Sequence, residues 1–139
     1  MPWSITGRSN KLINSKTQSM ISIIKEAPAN VVAFRATGEV DKHDYDNVVI
    51  PQIDELVEKQ DKINFMLVLD TSISNFTAMA ILKDIGIGLK HFSKWHKMAI
   101  VSDSDAINTF TNLFSYIAPG EAKGFTHAKM MEATIWVSS

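Results

Sequence analysis

The stretch that most constrains this chain is NFMLVLD at 64–70, followed by a short hydroxyl- and amide-rich loop and the segment TAMAILKDIGIGLKH. An unbroken apolar run from Phe65 to Leu69 that stops at Asp70 reads as a strand buried on both faces, which parallel sheets require. The helical pattern that follows, over about 77–92, opens with Thr77 in its first turn. A strand feeding a helix N-terminus is where α/β folds commonly keep their sites. The loop between them lacks the glycines of a phosphate cradle, so the pattern speaks to fold before it speaks to chemistry.

The flanking segments extend the alternation. Residues 20–25 and 31–37 read as two short strands around a turn at Pro28 and Asn30, with Val32, Phe34 and Ala36 on one face. Their closeness predicts an antiparallel hairpin. Asp41 is the expected N-cap of a first helix, with Asp44 in its first turn and Tyr45, Val49, Ile53 and Leu56 at helical spacing. Pro51 falls inside it and predicts a kink or break near Ile50. A strand over 97–102 follows the second helix. Asp103 and Ser104 cap a third helix carrying Ile107, Phe110, Phe114 and Ile117. Residues 121–125 form a last strand, and about 127–137 a last helix that is expected to bury two of Met131, Ile135 and Trp136. The order ββαβαβαβα predicts a mixed sheet of about five strands with an initial antiparallel hairpin and about four helices.

Composition narrows the function classes. At 139 residues the chain fits one domain. It contains no cysteine, which excludes disulfides, thiolate metal sites and cysteine nucleophiles. No apolar run approaches the roughly 20 residues of a membrane span. Residues 1–19 lack a signal-peptide core, so a cytoplasmic location is expected. Those residues carry Arg8, Lys11 and Lys16 and no acid, without apolar periodicity, and read as a basic, disordered tail ahead of a domain at 20–139. The remainder is mildly acidic and a poor match for nucleic acid.

Residues along 20–139 resemble the SpoIIAA-like proteins of the STAS/SEC14-like superfamily. The similarity is carried by the strand at 21–24, Asp44-Tyr45, Ile50-Pro51, Phe76-Thr77-Ala78, and the spacing of Asp84, Gly88 and His91. It continues through Ala99-Ile100-Val101, Pro119-Gly120-Glu121, Phe125, Ala133 and Trp136. The resemblance implies a small mixed sheet with packed helices and, in general, no assigned reaction. Better-known relatives are anti-sigma-factor antagonists switched by phosphorylation of a Ser that follows an Asp at the start of the matching helix. This chain has Asn75-Phe76-Thr77-Ala78 there, without the Asp-Ser pair. Thr77 is the nearest phospho-acceptor, with Ser74 second. Other distant relatives carry lipids in an apolar pocket.

Motifs of catalysis are missing: no G-x-S-x-G, no P-loop and no H-E-x-x-H is present. Gly86 and Gly88 fall in mid-helix rather than after a strand. His43 and Asp46 lie one turn apart but are too few for a metal site. On the second helix, Leu82, Ile85, Leu89 and Phe92 share the core sector. Thr77, Asp84, Gly88 and His91 share another, and Asp84 and His91 stand about 10 Å apart along the axis, too far for a catalytic dyad. Gly88 leaves a notch that another helix, a partner subunit or a small ligand would fill. Ile87 lies outward with Lys83 and Lys90 and is the interface candidate. Lys90, Lys94 and Lys97 belong to the one basic cluster of the domain; Trp95 beside them is expected to cover the helix-to-strand turn. The cluster reads either as charge at a helix C-terminus or as a seat for an anionic headgroup.

Two functions follow from this reading. One is a non-catalytic, regulatory and homodimeric interaction module with a protein partner. The other is a binder of a small apolar or anionic, lipid-like ligand in a cleft beside the second helix, held by Thr77, Asp84, Gly88, His91, Lys90 and Lys94. Neither requires a metal or a cofactor.

Overall fold

The computed structural model of the chain describes residues 20–38, 40–70, 92–114 and 120–139. Strands β1 (Ile21–Ile23), β2 (Val32–Ala36), β3 (Ile63–Leu69), β4 (Trp95–Val101) and β5 (Glu121–Phe125) form one sheet in sequential order. β1 and β2 pair antiparallel, while β2 through β5 run parallel. The mixed sheet and initial hairpin are those the sequence predicts. Three of the four expected helices lie among the described residues. The expected helix over 77–92 falls outside them, except for Phe92, which begins a short 3-10 turn to Lys94.

The first helix, α1, spans residues 42–59. Asp41 caps it as expected: its Oδ1 accepts the Asp44 backbone N–H at 2.8 Å. The irregularity expected from Pro51 is a π-helical stretch at Tyr45–Val49, after which Ile50–Lys59 continues as α-helix. Proline has no N–H to give to the previous turn. The chain widens just before it, and the Ile50 N–H bonds to the Tyr45 carbonyl, five residues back. The helix therefore continues through Pro51 without a break.

α2 (Asp105–Phe114) starts at Ser104, whose Oγ accepts the Ile107 N–H at 3.2 Å. Ile107 is buried; the side chains of Phe110 and Phe114, and Ile117, lie outside the described residues. With parallel strands in sequential order, crossovers of one hand all fall on one face of the sheet. The core obeys that rule. Val49, Ile53 and Leu56 of α1 and Ile107 of α2 pack with Val32, Phe34, Phe65, Leu67 and Ile100 in one cluster. α3 (Met130–Ser138) covers the opposite face, where Ala33, Met66, Val68, Ala99 and Val101 point.

Trp95 departs from expectation. It is the first residue of β4, 6% exposed, with its ring 5.4 Å from Phe65 and not over a turn. β4 begins two residues before the expected start because a bulge admits one extra residue. Ile63 pairs with Trp95, but Asn64 pairs with Lys97. Gly120, just before β5, passes so close to this bulge that a Cβ there would sit 2.4 Å from the His96 carbonyl oxygen. A side chain at that position has no room.

Candidate interaction surface

α3 is anchored at both ends. Ahead of it, the His127 backbone N–H donates to Asp103 Oδ1 at 2.8 Å, tying the start of the last helical segment to the loop after β4. That bond is the main reason the Asp103 carboxyl is held below its ordinary pKa. The His127 ring adds Nδ1 at 3.3 Å from Asp103 Oδ2, in ion-pair range but misaligned for a hydrogen bond. At the far end Lys97 Nζ donates to the Trp136 carbonyl at 3.1 Å and to Ser139 Oγ at 2.7 Å, and it stacks over the Trp136 ring at 5.2 Å. A cation at the C-terminal end of a helix meets the unsatisfied carbonyls and the negative end of the dipole.

Between these anchors the inward face is built of small and medium residues. Ala133 and Val137 are fully buried, Met130 and Trp136 pack beside them, and the Trp136 ring lies 5.8 Å from Phe125 of β5. Thr134 turns the other way, with its Oγ1 3.8 Å from the Met66 sulfur in β3. Small partners in the strands, Ala33 and Ala99, let the helix sit close.

The outward face corrects the sequence reading. Met131 is 76% exposed and Ile135 63%, so of the three candidates only Trp136 packs inward. The reason is visible in the sequence of the helix, Met-Met-Glu-Ala-Thr-Ile-Trp-Val-Ser, which is apolar on nearly every side. Periodicity then selects no face. The side that touches the sheet is set by Ala133, the residue that permits closest approach. At about 100° per residue, Ile135 points directly away from the sheet. Met131 sits between it and the Thr134 side, toward β3 and the β1–β2 hairpin beyond. On the same sheet face Arg35 follows Ala33 by strand alternation, half-buried opposite Ser22 of β1. Among the described residues neither Arg35 nor Glu132, the one acid of α3, has an ion-pair partner.

Most of the residues singled out in the sequence are not among those the structure describes. Thr77, Ser74, Asp84, Ile87, Gly88, Lys90 and His91 lie outside the described residues. Lys94 is described, and its ammonium pairs with Asp61, drawing that carboxyl below its ordinary pKa. Lys97, the third member of the basic cluster, is engaged with the end of α3. Both cations that the structure describes therefore have partners inside the chain. Next to them His96 Nδ1 is 2.8 Å from Asn64 Oδ1; burial first, then Lys62 and Lys97, lower its pKa. No group of metal-ligating side chains occurs among the described residues, and no helix among them is long and apolar enough to cross a membrane.

Comparison with known proteins agrees with this architecture. A solved structure of an uncharacterised protein of the DUF3478 family with a SpoIIAA-like fold, from Shewanella loihica PV-4, superposes with a TM-score of 0.56. It is 24% identical, and the match covers 84% of this chain and 93% of that one. No curated protein matches. The family model described as SpoIIAA-like matches residues 31–138, from the start of the hairpin's second strand to the end of α3. With more than half its length under that match, the chain belongs to the SpoIIAA-like family.

Proposed function

We propose that this protein is a non-catalytic regulatory interaction module of STAS type that works as a homodimer, and that the outward face of α3 is where two copies meet. The observation that carries the reading is the pair Met131 and Ile135, large apolar side chains one turn apart and mostly in solvent. A helix apolar on nearly every side is usually covered on more than one, and among the described residues α3 packs on the sheet alone.

A second copy suits this surface better than an unrelated partner because the surface is complementary to itself. The ridge carries Glu132 and the adjoining hairpin face carries Arg35. A two-fold arrangement that laid the ridge of each copy on the hairpin of the other would bring these opposite charges toward one another twice. A helix of nine residues is about 13 Å long and about 10 Å wide. Each copy then buries a few hundred Å2, below the roughly 1,200 Å2 total of stable complexes. The dimer is accordingly weak and forms at high micromolar concentration.

Sedimentation velocity of the full chain over a concentration series is the test. The wild type should move toward dimer as concentration rises, and Ile135→Asp should stay monomeric with an unchanged circular dichroism spectrum. A wild type that remains monomeric throughout, or an Ile135→Asp variant that dimerises equally well, rejects the reading.

A further inference from the structure

We propose that the cleft between the β1–β2 turn and α1 binds a small amphiphile with an apolar body and an anionic head. The cleft measures about 280 Å3, nearly twice the cavity of about 150 Å3 that admits a benzene ring. Phe34 and Leu56 close its floor and are themselves buried, whereas Ile24, Ala27 and Pro28 are half-buried along it and Ile23 stands at its lip, 39% exposed. These part-exposed apolar side chains are the surface that a ligand's hydrocarbon would cover.

The cleft is held open by hydrogen bonds that leave the turn little freedom to collapse. Asn30, near the end of the turn, accepts at its carbonyl from Gln60 Nε2 at 3.1 Å and from Asn64 Nδ2 at 3.1 Å. Its own Nδ2 donates to the Ser138 carbonyl at 2.8 Å. One asparagine thus ties the turn to the end of α1, to β3 and to α3. Backbone bonds from Ile24 to Ala33 and from Val31 to Pro28 fix the rest. A preformed cleft spares a ligand the ordering cost of closing a loop.

The rim decides the head group. Glu55 is paired with Lys59 at 3.7 Å on the α1 side. On the turn, Lys25 has no ion-pair partner among the described residues, and on the α1 side the Gln52 amide makes no side-chain hydrogen bond among them. Two ammonium groups against one carboxylate leave an excess positive charge beside apolar walls, with an amide to orient an oxygen. A carboxylate on a compact hydrocarbon answers to that arrangement. The site is lined from α1 by Gln52, Glu55, Leu56 and Lys59 and includes neither Met131 nor Ile135, and its test reads ligand shifts rather than sedimentation, so the two proposals fail separately.

The probe is 3-phenylpropionate, with uncharged 3-phenylpropanol as its control, titrated into the 15N-labelled full chain while amide shifts are followed. The acid should give saturable shifts at Ile23, Ala27 and Leu56, and the alcohol should bind about tenfold more weakly. Lys25→Glu should weaken the acid about tenfold and leave the alcohol unchanged. Ile23→Trp, which fills the lip, should abolish both. Should that variant fold poorly, Lys25→Glu at an exposed position still decides the matter. Absence of saturable shifts, shifts confined to α3, or acid binding that ignores Lys25→Glu overturns the proposal. An alcohol that binds as tightly as the acid overturns the anionic head.

Discussion

The two faces of the sheet use the same five strands and come to opposite ends. On the α1 and α2 face the core is deep and closed. Phe34, Phe65 and Trp95 stack in a row with ring centroids 5.6 and 5.4 Å apart, and all three are at most 6% exposed. On the α3 face the buried layer is thinner, with alanines at 33, 99 and 133, and the covering helix turns Met131 and Ile135 to solvent. The first face holds apolar side chains where they stabilise the monomer. The second leaves them where only a further surface can bury them. An exposed apolar side chain alone is ordinary; two in register on a helix that is apolar on nearly every side is not.

The sharpest way to break this contrast is to cut into each face in turn. Phe65→Ala removes the middle ring of the row and should cost about 4 kcal/mol in denaturant unfolding, enough to threaten the fold of a chain this size. Val137→Ala, equally buried under α3, deletes two methyl groups and should cost about 2 kcal/mol. The two deletions differ in size, so the like-for-like check is Val49→Ala under α1: a loss no larger than that of Val137→Ala would put the two faces on the same footing, and the contrast would fail. Ile135→Asp should change monomer stability by less than about 0.5 kcal/mol, since the side chain meets little of its own chain. A loss of several kcal/mol there would mean that Ile135 packs within the monomer.

A smaller effect separates the two ends of the sheet. His96, at the bulge, has its pKa lowered below the ordinary 6.5, chiefly by burial. As pH falls through about 6.5 the unfolded chain takes up this proton before the folded one. The unfolded state then binds more protons, so His96 subtracts stability as pH falls, until the folded imidazole is protonated too. His96→Gln keeps an N–H donor for Asn64 Oδ1 and should flatten that part of the profile. Asp103 and Asp61, both lowered below 3.8, act in the same direction only in more acidic solution.

How much of this was legible in the sequence follows from how local each feature is. The run Phe65–Leu69, the hairpin, the cap at Asp41 and the disturbance before Pro51 depend on neighbours in the chain, and the sequence shows them. The bulge that draws Trp95 into β4 depends on register with β3 and leaves no mark in the sequence. The orientation of α3 was illegible for a different reason: a helix apolar on every side has no preferred face until the alanines of the sheet select Ala133. Lys94 reads as a free cation because Asp61, its partner, is distant along the chain. The hairpin cleft joins Ile23 to Leu56 across the fold and has no motif at all.

The claim at the centre is that two copies meet through the outward side of α3, and an isotope-filtered NOE experiment addresses it at the atoms concerned. Labelled and unlabelled full-length chains are mixed at a concentration where sedimentation shows dimer, and only contacts between differently labelled copies are recorded. Cross-peaks from the Ile135 δ-methyl and the Met131 ε-methyl to protons of the partner's β1–β2 hairpin are the predicted result. A dimer whose intermolecular contacts omit both methyl groups would contradict the account.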